Sequence, residues 1–188
     1  MLKHIEDFEI YAEISGFKNA KISQAQEFLD KSSKEKPAGV EFQFFDARRV
    51  ATWQHLFFAA LNALTAFKNK ENISKSLAME TLLYASAERQ ITRAVELVGI
   101  GATSSDVAVL IIRKEPRKME SVLSMVSKNI GGQRDEKVLE LSKEKVATIR
   151  RVFSISKAEL RTVMEKNDAD KAMIDLVVEK MALLATQR

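Results

Sequence analysis

Six consecutive apolar residues, Val107-Ala108-Val109-Leu110-Ile111-Ile112, sit between the polar turns Ser104-Ser105-Asp106 and Arg113–Pro116. The run is too short for a helix of ordinary length and is rich in β-branched residues. It predicts a strand buried on both faces. Two further stretches alternate with period two. Phe8, Ile10, Ala12 and Ile14 alternate with Glu9, Tyr11 and Glu13, and Ser15-Gly16 is expected to end that strand. Val40, Phe42 and Phe44 alternate with Glu41 and Gln43. Both patterns predict strands with one buried face.

The rest reads as helix. Ile22 to Lys31 predicts a short helix, followed by a loop over Ser32–Gly39. Asp46 can cap the helix after it, because its carboxylate can accept from the free amides of a first turn. From Val50 to about Lys68, Trp53, Phe57, Ala60, Leu61 and Leu64 recur at three- and four-residue spacing, which marks an amphipathic helix. Ser76 opens a helical stretch that continues into Gln90–Val98, with Gly99 as its C-cap. Met119, Val122, Leu123 and Val126 form a stripe ended by Gly131-Gly132, and Val146, Ile149, Val152 and Phe153 form another. Ser156 and Glu159 have the spacing of a capping box. A final helix starts at Asp168 or Asp170, with Ile174, Val177, Met181 and Leu184 in line. The sum is an α+β fold: one domain over residues 1–188, with a small sheet of non-adjacent strands surrounded by about seven helices.

Composition excludes several chemistries. Among 188 residues there is no Cys, so disulfides, thiolate metal sites and Cys nucleophiles are absent. His4 and His55 are the only histidines, which leaves little for a metal site, and no metal or cofactor is expected. His55 is expected as a boundary residue on the flank of its helix. Glu9 and Glu13 read as a solvated acidic face rather than a catalytic pair. Gly99-Ile100-Gly101 is spaced like a phosphate turn, but it follows a helix and leads to a strand, the reverse of that motif. The N-terminus has no continuous apolar segment, and the longest apolar stretches fall far short of ~20 residues. A cytoplasmic protein with no membrane contact is expected.

Charge is uneven. The formal net charge is +4. Met1 to Asp46 carries −3, Ala47 to Ser105 carries +3 and Asp106 to Arg188 carries +4. The basic remainder favours an anionic partner. Arg89 and Arg93 lie one helical turn apart on one face.

The segment Glu80-Thr81-Leu82-Leu83-Tyr84-Ala85-Ser86-Ala87-Glu88-Arg89-Gln90-Ile91 resembles the CGI/TPRKB family, the small non-catalytic subunit of the KEOPS complex. Phe45-Asp46-Ala47, His55-Leu56, the strand at Val107–Ile112 and the Phe153-Ser154-Ile155-Ser156 turn match the same pattern. The resemblance implies helices around a small antiparallel sheet. It implies an accessory protein that binds the atypical PRPK-like kinase of the complex. It also implies recruitment of tRNA by the single-stranded 3′ CCA end, for threonylcarbamoyl-adenosine formation by another subunit. An alternative is a kinase-binding regulator without RNA contact. No small-molecule substrate is expected.

The resemblance does not fix the contact residues. The RNA candidates are Arg89, Gln90 and Arg93 first, because they lie at the most family-specific run, with the other basic residues Arg48, Arg49, Lys68 and Lys70 of the 47–105 region behind them. For the kinase, the C-terminal helices offer Ile155, Leu160, Met173, Leu176 and Val177 as an apolar surface. Met173 and Leu176 lead that group because they stand off the main apolar stripe.

Overall fold

The apolar run forms an inner strand of the sheet, buried on both faces as predicted. A computed structural model describes residues 1–22, 24–166 and 168–186. The strands are β1 (Leu2–Ile5), β2 (Ile10–Lys18), β3 (Val40–Asp46), β4 (Val107–Arg113) and β5 (Gln133–Arg134). The helices in the first half are α1 (Ala25–Lys34), α2 (Trp53–Asn69), α3 (Leu77–Ser86) and α4 (Ile91–Val98). Those in the second half are α5 (Met119–Ile130), α6 (Lys143–Val152), α7 (Lys157–Val163) and α8 (Ala169–Thr186). The strand order is β1-β2-β4-β3, with β5 also paired to β2. All pairings are antiparallel.

Alternation along β4 divides the core in two. Val107, Val109 and Ile111 join Phe17, Val40, Phe42 and Phe44 under α5. Ala108, Leu110 and Ile112 join Ala12, Ile14 and Phe45 against residues of α2, α3, α6 and α8. Each such large aliphatic side chain contributes about 1.5–3 kcal/mol on burial. This is a single-domain α+β fold with helices on both faces of a small sheet.

Several boundaries differ from the sequence reading, each for a physical reason. Gly16 does not end β2. A Cβ there would lie 2.7 Å from the Asp135 carbonyl and against the Val138 side chain. The glycine therefore serves close approach of the 135–139 segment, not a turn. Phe8 lies in a 3₁₀ turn between β1 and β2, and Glu9 closes it with φ 51°. Glu13 is buried, not solvated, and accepts from Ser15 Oγ at 3.0 Å and Arg134 Nη2 at 3.3 Å. The two short strands β1 and β5 carry too few alternating residues to be seen as patterns.

Eight α-helices stand among the described residues rather than about seven, because the stretch from Ser76 breaks after Ser86. Ala87 takes φ 55° and its N–H closes on Tyr84 O at 2.9 Å. A non-glycine residue in this conformation costs about 1 kcal/mol, and no glycine announced the break. Asp46 caps a 3₁₀ turn at Ala47–Arg49 through Arg48 N, and α2 begins later, at Trp53. Gly99 is the C-cap of α4 but is not left-handed. A Cβ there would lie 2.6 Å from Val95 O. α1 starts at Ala25, and its last turn takes in part of the expected loop. The other helix starts match: Ser76 accepts from Met79 N. The Ser156–Glu159 capping box forms in both directions. Asp168 Oδ1 accepts from Lys171 N at 2.9 Å.

Candidate functional site

Arg48 and Arg49 are tied into the fold. The Asp46 carboxylate is 1% exposed. It accepts Arg48 Nε at 2.9 Å, Arg48 Nη2 at 2.7 Å and Ser104 Oγ at 3.1 Å. That contact holds the Arg48 guanidinium above its ordinary pKa. Arg48 Nη2 also donates to Thr103 O at 3.1 Å. Arg49 Nη1 donates to Leu97 O at 3.2 Å and to Glu96 O. It thereby satisfies carbonyls at the C-terminus of α4, where a cation also suits the helix dipole. These two arginines fasten the β3 end, the 101–106 loop and α4 together.

The other basic candidates are more open. Lys68 Nζ lies 5.4 Å from the Phe8 ring centre. Lys70 closes α2 in the left-handed conformation and is exposed. Arg89 and Gln90 are exposed at the N-terminal end of α4, with Gln90 at its N-cap position. Arg93 is exposed and pairs with Glu96 at 3.1 Å. Arg93 thus stands exposed on α4 with Arg89 and Gln90 exposed in the turn before it, Arg49 braces the C-terminal end of the same helix, Arg48 braces the loop beside it, and Lys68 and Lys70 lie at the end of α2.

The C-terminal apolar candidates are core. Met173 and Val177 are fully buried, Ile155 is 3% exposed and Leu176 is 4% exposed. They pack with α2 and α3 residues in the larger core cluster. Leu160 alone of the five is partly exposed. Met173 and Leu176, singled out as off-stripe, lie on the buried arc of α8. Ile174, read as stripe, is only half-buried. The cause is that α8 is covered by α2, α3 and α7, so its buried arc is wider than one stripe.

On α8 Leu183 is 47% exposed, and on the much shorter α4 two large apolar side chains stand in solvent. Ile91 is 43% exposed and Val95 is 41% exposed. α4 buries only Ala94 and Val98. At about 100° per residue, Ile91 and Val95 lie close together and roughly opposite Arg93. The helix offers an apolar flank and a basic flank. Sequence spacing did not reveal this.

Three buried polar groups brace other parts of the fold. His55 is fully buried rather than at a boundary. Its Nδ1 accepts the Ala51 N–H at 3.1 Å, so Nε2 carries the proton and donates to Ala85 O at 2.7 Å. Both ring nitrogens are engaged by main chain. Burial pushes its pKa down to about 4, against the pull of the Ala85 hydrogen bond. Glu80 is fully buried, and its Oε2 accepts Ile73 N at 2.9 Å and Ser74 N at 2.7 Å. It holds the loop before α3 in shape, a role its place in the run Glu80–Ile91 did not disclose. Lys145 is 9% exposed and donates to Val138 O at 2.9 Å. Burial pushes its pKa down to about 8, opposed by Asp106, Asp46 and Glu140. It lines a cleft of about 370 Å³ shared with Lys18, Arg48, Asp106 and Lys137. Among the described residues no three His, Asp or Glu side chains gather as a metal site. No helix in them is long and apolar enough to cross a membrane.

Residues 17–185 match the model of a family described as kinase binding protein CGI-121. The chain belongs to that family. The regulatory protein Cgi121 of Methanocaldococcus jannaschii is 34% identical to it over 117 residues, which is 62% of this chain and 72% of that protein. The family assignment agrees with the resemblance read from Glu80–Ile91. The match begins at Phe17, so it takes in α1 to α8, β3, β4 and β5.

Proposed function

We propose that this protein is a non-catalytic, cytoplasmic accessory subunit of a KEOPS-type complex. It binds the small atypical kinase and recruits tRNA through the 3′ CCA end for threonylcarbamoyl-adenosine modification. The observation that carries the kinase part is the match to a kinase-binding family over residues 17–185. Its regulatory relative in M. jannaschii supports the same reading. The kinase contact moves from the C-terminal helices to α4, because Ile91 and Val95 are exposed there while Ile155, Met173, Leu176 and Val177 are core. A water-exposed apolar flank gains most from a protein partner.

RNA recruitment rests on the other flank of α4 and the turn that precedes it. Arg89, Gln90 and Arg93 are exposed together, and arginine planes suit both phosphates and bases. The test is a gel shift with intact tRNA and with tRNA lacking CCA, beside a pull-down with the kinase. Intact tRNA should bind more tightly, with affinity falling as salt rises. Charge reversal at Arg89 and Arg93 should weaken it. Equal binding of trimmed tRNA contradicts the CCA contact.

A kinase-binding regulator without RNA contact is the second reading. It is favoured by the engagement of Arg48 and Arg49 with Asp46, Glu96 and Leu97, which removes two of the seven RNA candidates from free presentation. It predicts the kinase pull-down and no tRNA shift.

A further inference from the structure

One row across the sheet carries polar and aromatic side chains where its neighbours carry core. The registers pair His4 with Tyr11, Tyr11 with Arg113 and Arg113 with Val40. Antiparallel partners share a face. Here it is the face under α5, because Arg113 follows Val107, Val109 and Ile111 at every second position and Tyr11 packs against their cluster. The rings of His4 and Tyr11 are stacked, with centres 4.4 Å apart and planes 23° apart. Tyr11 is half-buried and His4 is exposed, so the stack ends in a ring open to solvent.

Beside the stack lies a run of unpaired cations. Arg113, Lys114, Arg117 and Lys118 fall within one short segment, with Glu115 as the carboxylate among them. Among the described residues no ion pair reaches any of the four. Arg48, Arg49, Arg93 and Arg134, by contrast, are all paired with carboxylates. Arg113 is half-buried, and its buried Nε has no hydrogen-bond partner among the described residues. No polar contact of the fold uses this guanidinium, and burying such a group unpaired is costly. With Lys118, Ser121 and Met125 it lines a cavity of about 300 Å³. An anion there meets Arg113 and Lys118 together and offsets that cost.

A flat stack beside unpaired cations fits one class of ligand. Charge alone would suit an acidic peptide, which makes no use of the rings. A nucleotide brings a base for the ring and a phosphate for the cations. His4 and Arg113 stand two strand spacings apart, ~10 Å. Their row lies at the Arg113 end of β4, whereas α4 meets the sheet through the Gly99 bridge to Phe45, the partner of Ala108. Five residues of strand, ~17 Å, separate the two.

We propose that the His4–Tyr11 stack and the 113–118 run form a second contact for single-stranded RNA, with a base on His4 and phosphates on Arg113 and Lys118. This rests on the RNA reading and deepens it: the RNA is held at two ends of the sheet, not at α4 alone.

The test follows the anisotropy of labelled hexa-adenylate and of labelled intact tRNA as the whole chain is added. Unaltered chain is compared with His4→Ala, His4→Phe and Arg113→Gln/Lys118→Gln. His4 is exposed, so its variants read binding apart from folding. His4→Ala should weaken hexa-adenylate binding about fivefold or more, as for the loss of one stacked base, while His4→Phe keeps it within about twofold. Arg113→Gln/Lys118→Gln should weaken both probes about tenfold and flatten the salt dependence, with an unfolding midpoint near that of the unaltered chain. Binding of tRNA that keeps a preference for CCA but is untouched by all three variants overturns the second contact and leaves the RNA reading standing. Absence of tRNA binding by the unaltered chain overturns the RNA reading, and this contact with it. Poly-glutamate that binds as tightly as hexa-adenylate, with loss at Arg113 and Lys118 and none at His4, identifies an acidic protein segment as the occupant and overturns the proposal.

Discussion

Helices α4 and α8 both carry apolar residues at helical spacing, yet they stand in opposite environments. α8 has 18 residues and buries Ala172, Met173, Leu176, Val177, Met181 and Leu184. α4 has 8 residues, buries Ala94 and Val98 and leaves Ile91 and Val95 in water. The difference lies in the neighbours. α8 is wedged between α2, α3 and α7, whereas α4 is held to the body by Arg49 at its C-terminus and by α3 on one side. An apolar periodicity therefore reports that a helix has something to cover. It does not report whether the cover is the same chain or another molecule.

The comparison breaks most directly by truncation. Met173→Ala should cost about 2–5 kcal/mol, as for other buried large-to-small changes. Urea unfolding measures it, and a loss below ~0.5 kcal/mol would place Met173 outside the core. The core side should also be acid-sensitive through His55. A folded-state pKa of about 4 against 6.5 means that the neutral ring is favoured in the fold. Stability is then complete above pH 6.5 and declines as pH falls toward 4, by about 3 kcal/mol from this group. Denaturant titrations at stepped pH should show that slope, and His55→Gln should flatten it.

Smaller effects sharpen the picture near α4. Ala87→Gly relieves the left-handed alanine and should raise stability by about 0.5–1 kcal/mol, read as a higher thermal midpoint. A decrease would mean that the Ala87 methyl is needed for packing between α3 and α4. Ile91→Ala should change stability least, within about 0.5 kcal/mol, since its side chain is 43% exposed. A larger loss in the isolated chain would assign that side chain to the core.

Much of the fold was legible because its elements are long or strongly patterned. The doubly buried β4, the one-sided β3, the α5 stripe and the Ser156–Glu159 box announce themselves through local chemistry. What escaped depended on contacts distant in sequence. Gly16 looks like a terminator until the 135–139 segment is seen against it. Ala87 breaks a helix with no local signal. His55 looks marginal until Ala51 and Ala85 are seen to engage both ring nitrogens.

The site was legible in part. Arg89, Gln90 and Arg93 are all exposed, but Arg89 and Arg93 do not share a helix face as their i,i+4 spacing suggested, because the helix breaks at Ala87 and Arg89 lies in the turn before α4. Arg48 and Arg49 do not read from sequence as structural, because their partners at Glu96, Leu97 and Thr103 lie some fifty residues away. The C-terminal apolar residues misled because the arc buried by three neighbouring helices is wider than a single stripe.

The central claim is that α4 presents its apolar flank to the kinase while α8 keeps the arc from Ala172 to Leu184 for the core and exposes only Leu183 among its large apolar side chains. Calorimetric titration of the kinase into the unaltered chain and into the Ile91→Glu/Val95→Glu variant tests it. The account predicts at least a tenfold loss of affinity with an unfolding midpoint close to that of the unaltered chain. Undiminished affinity of the doubly charged variant would contradict it.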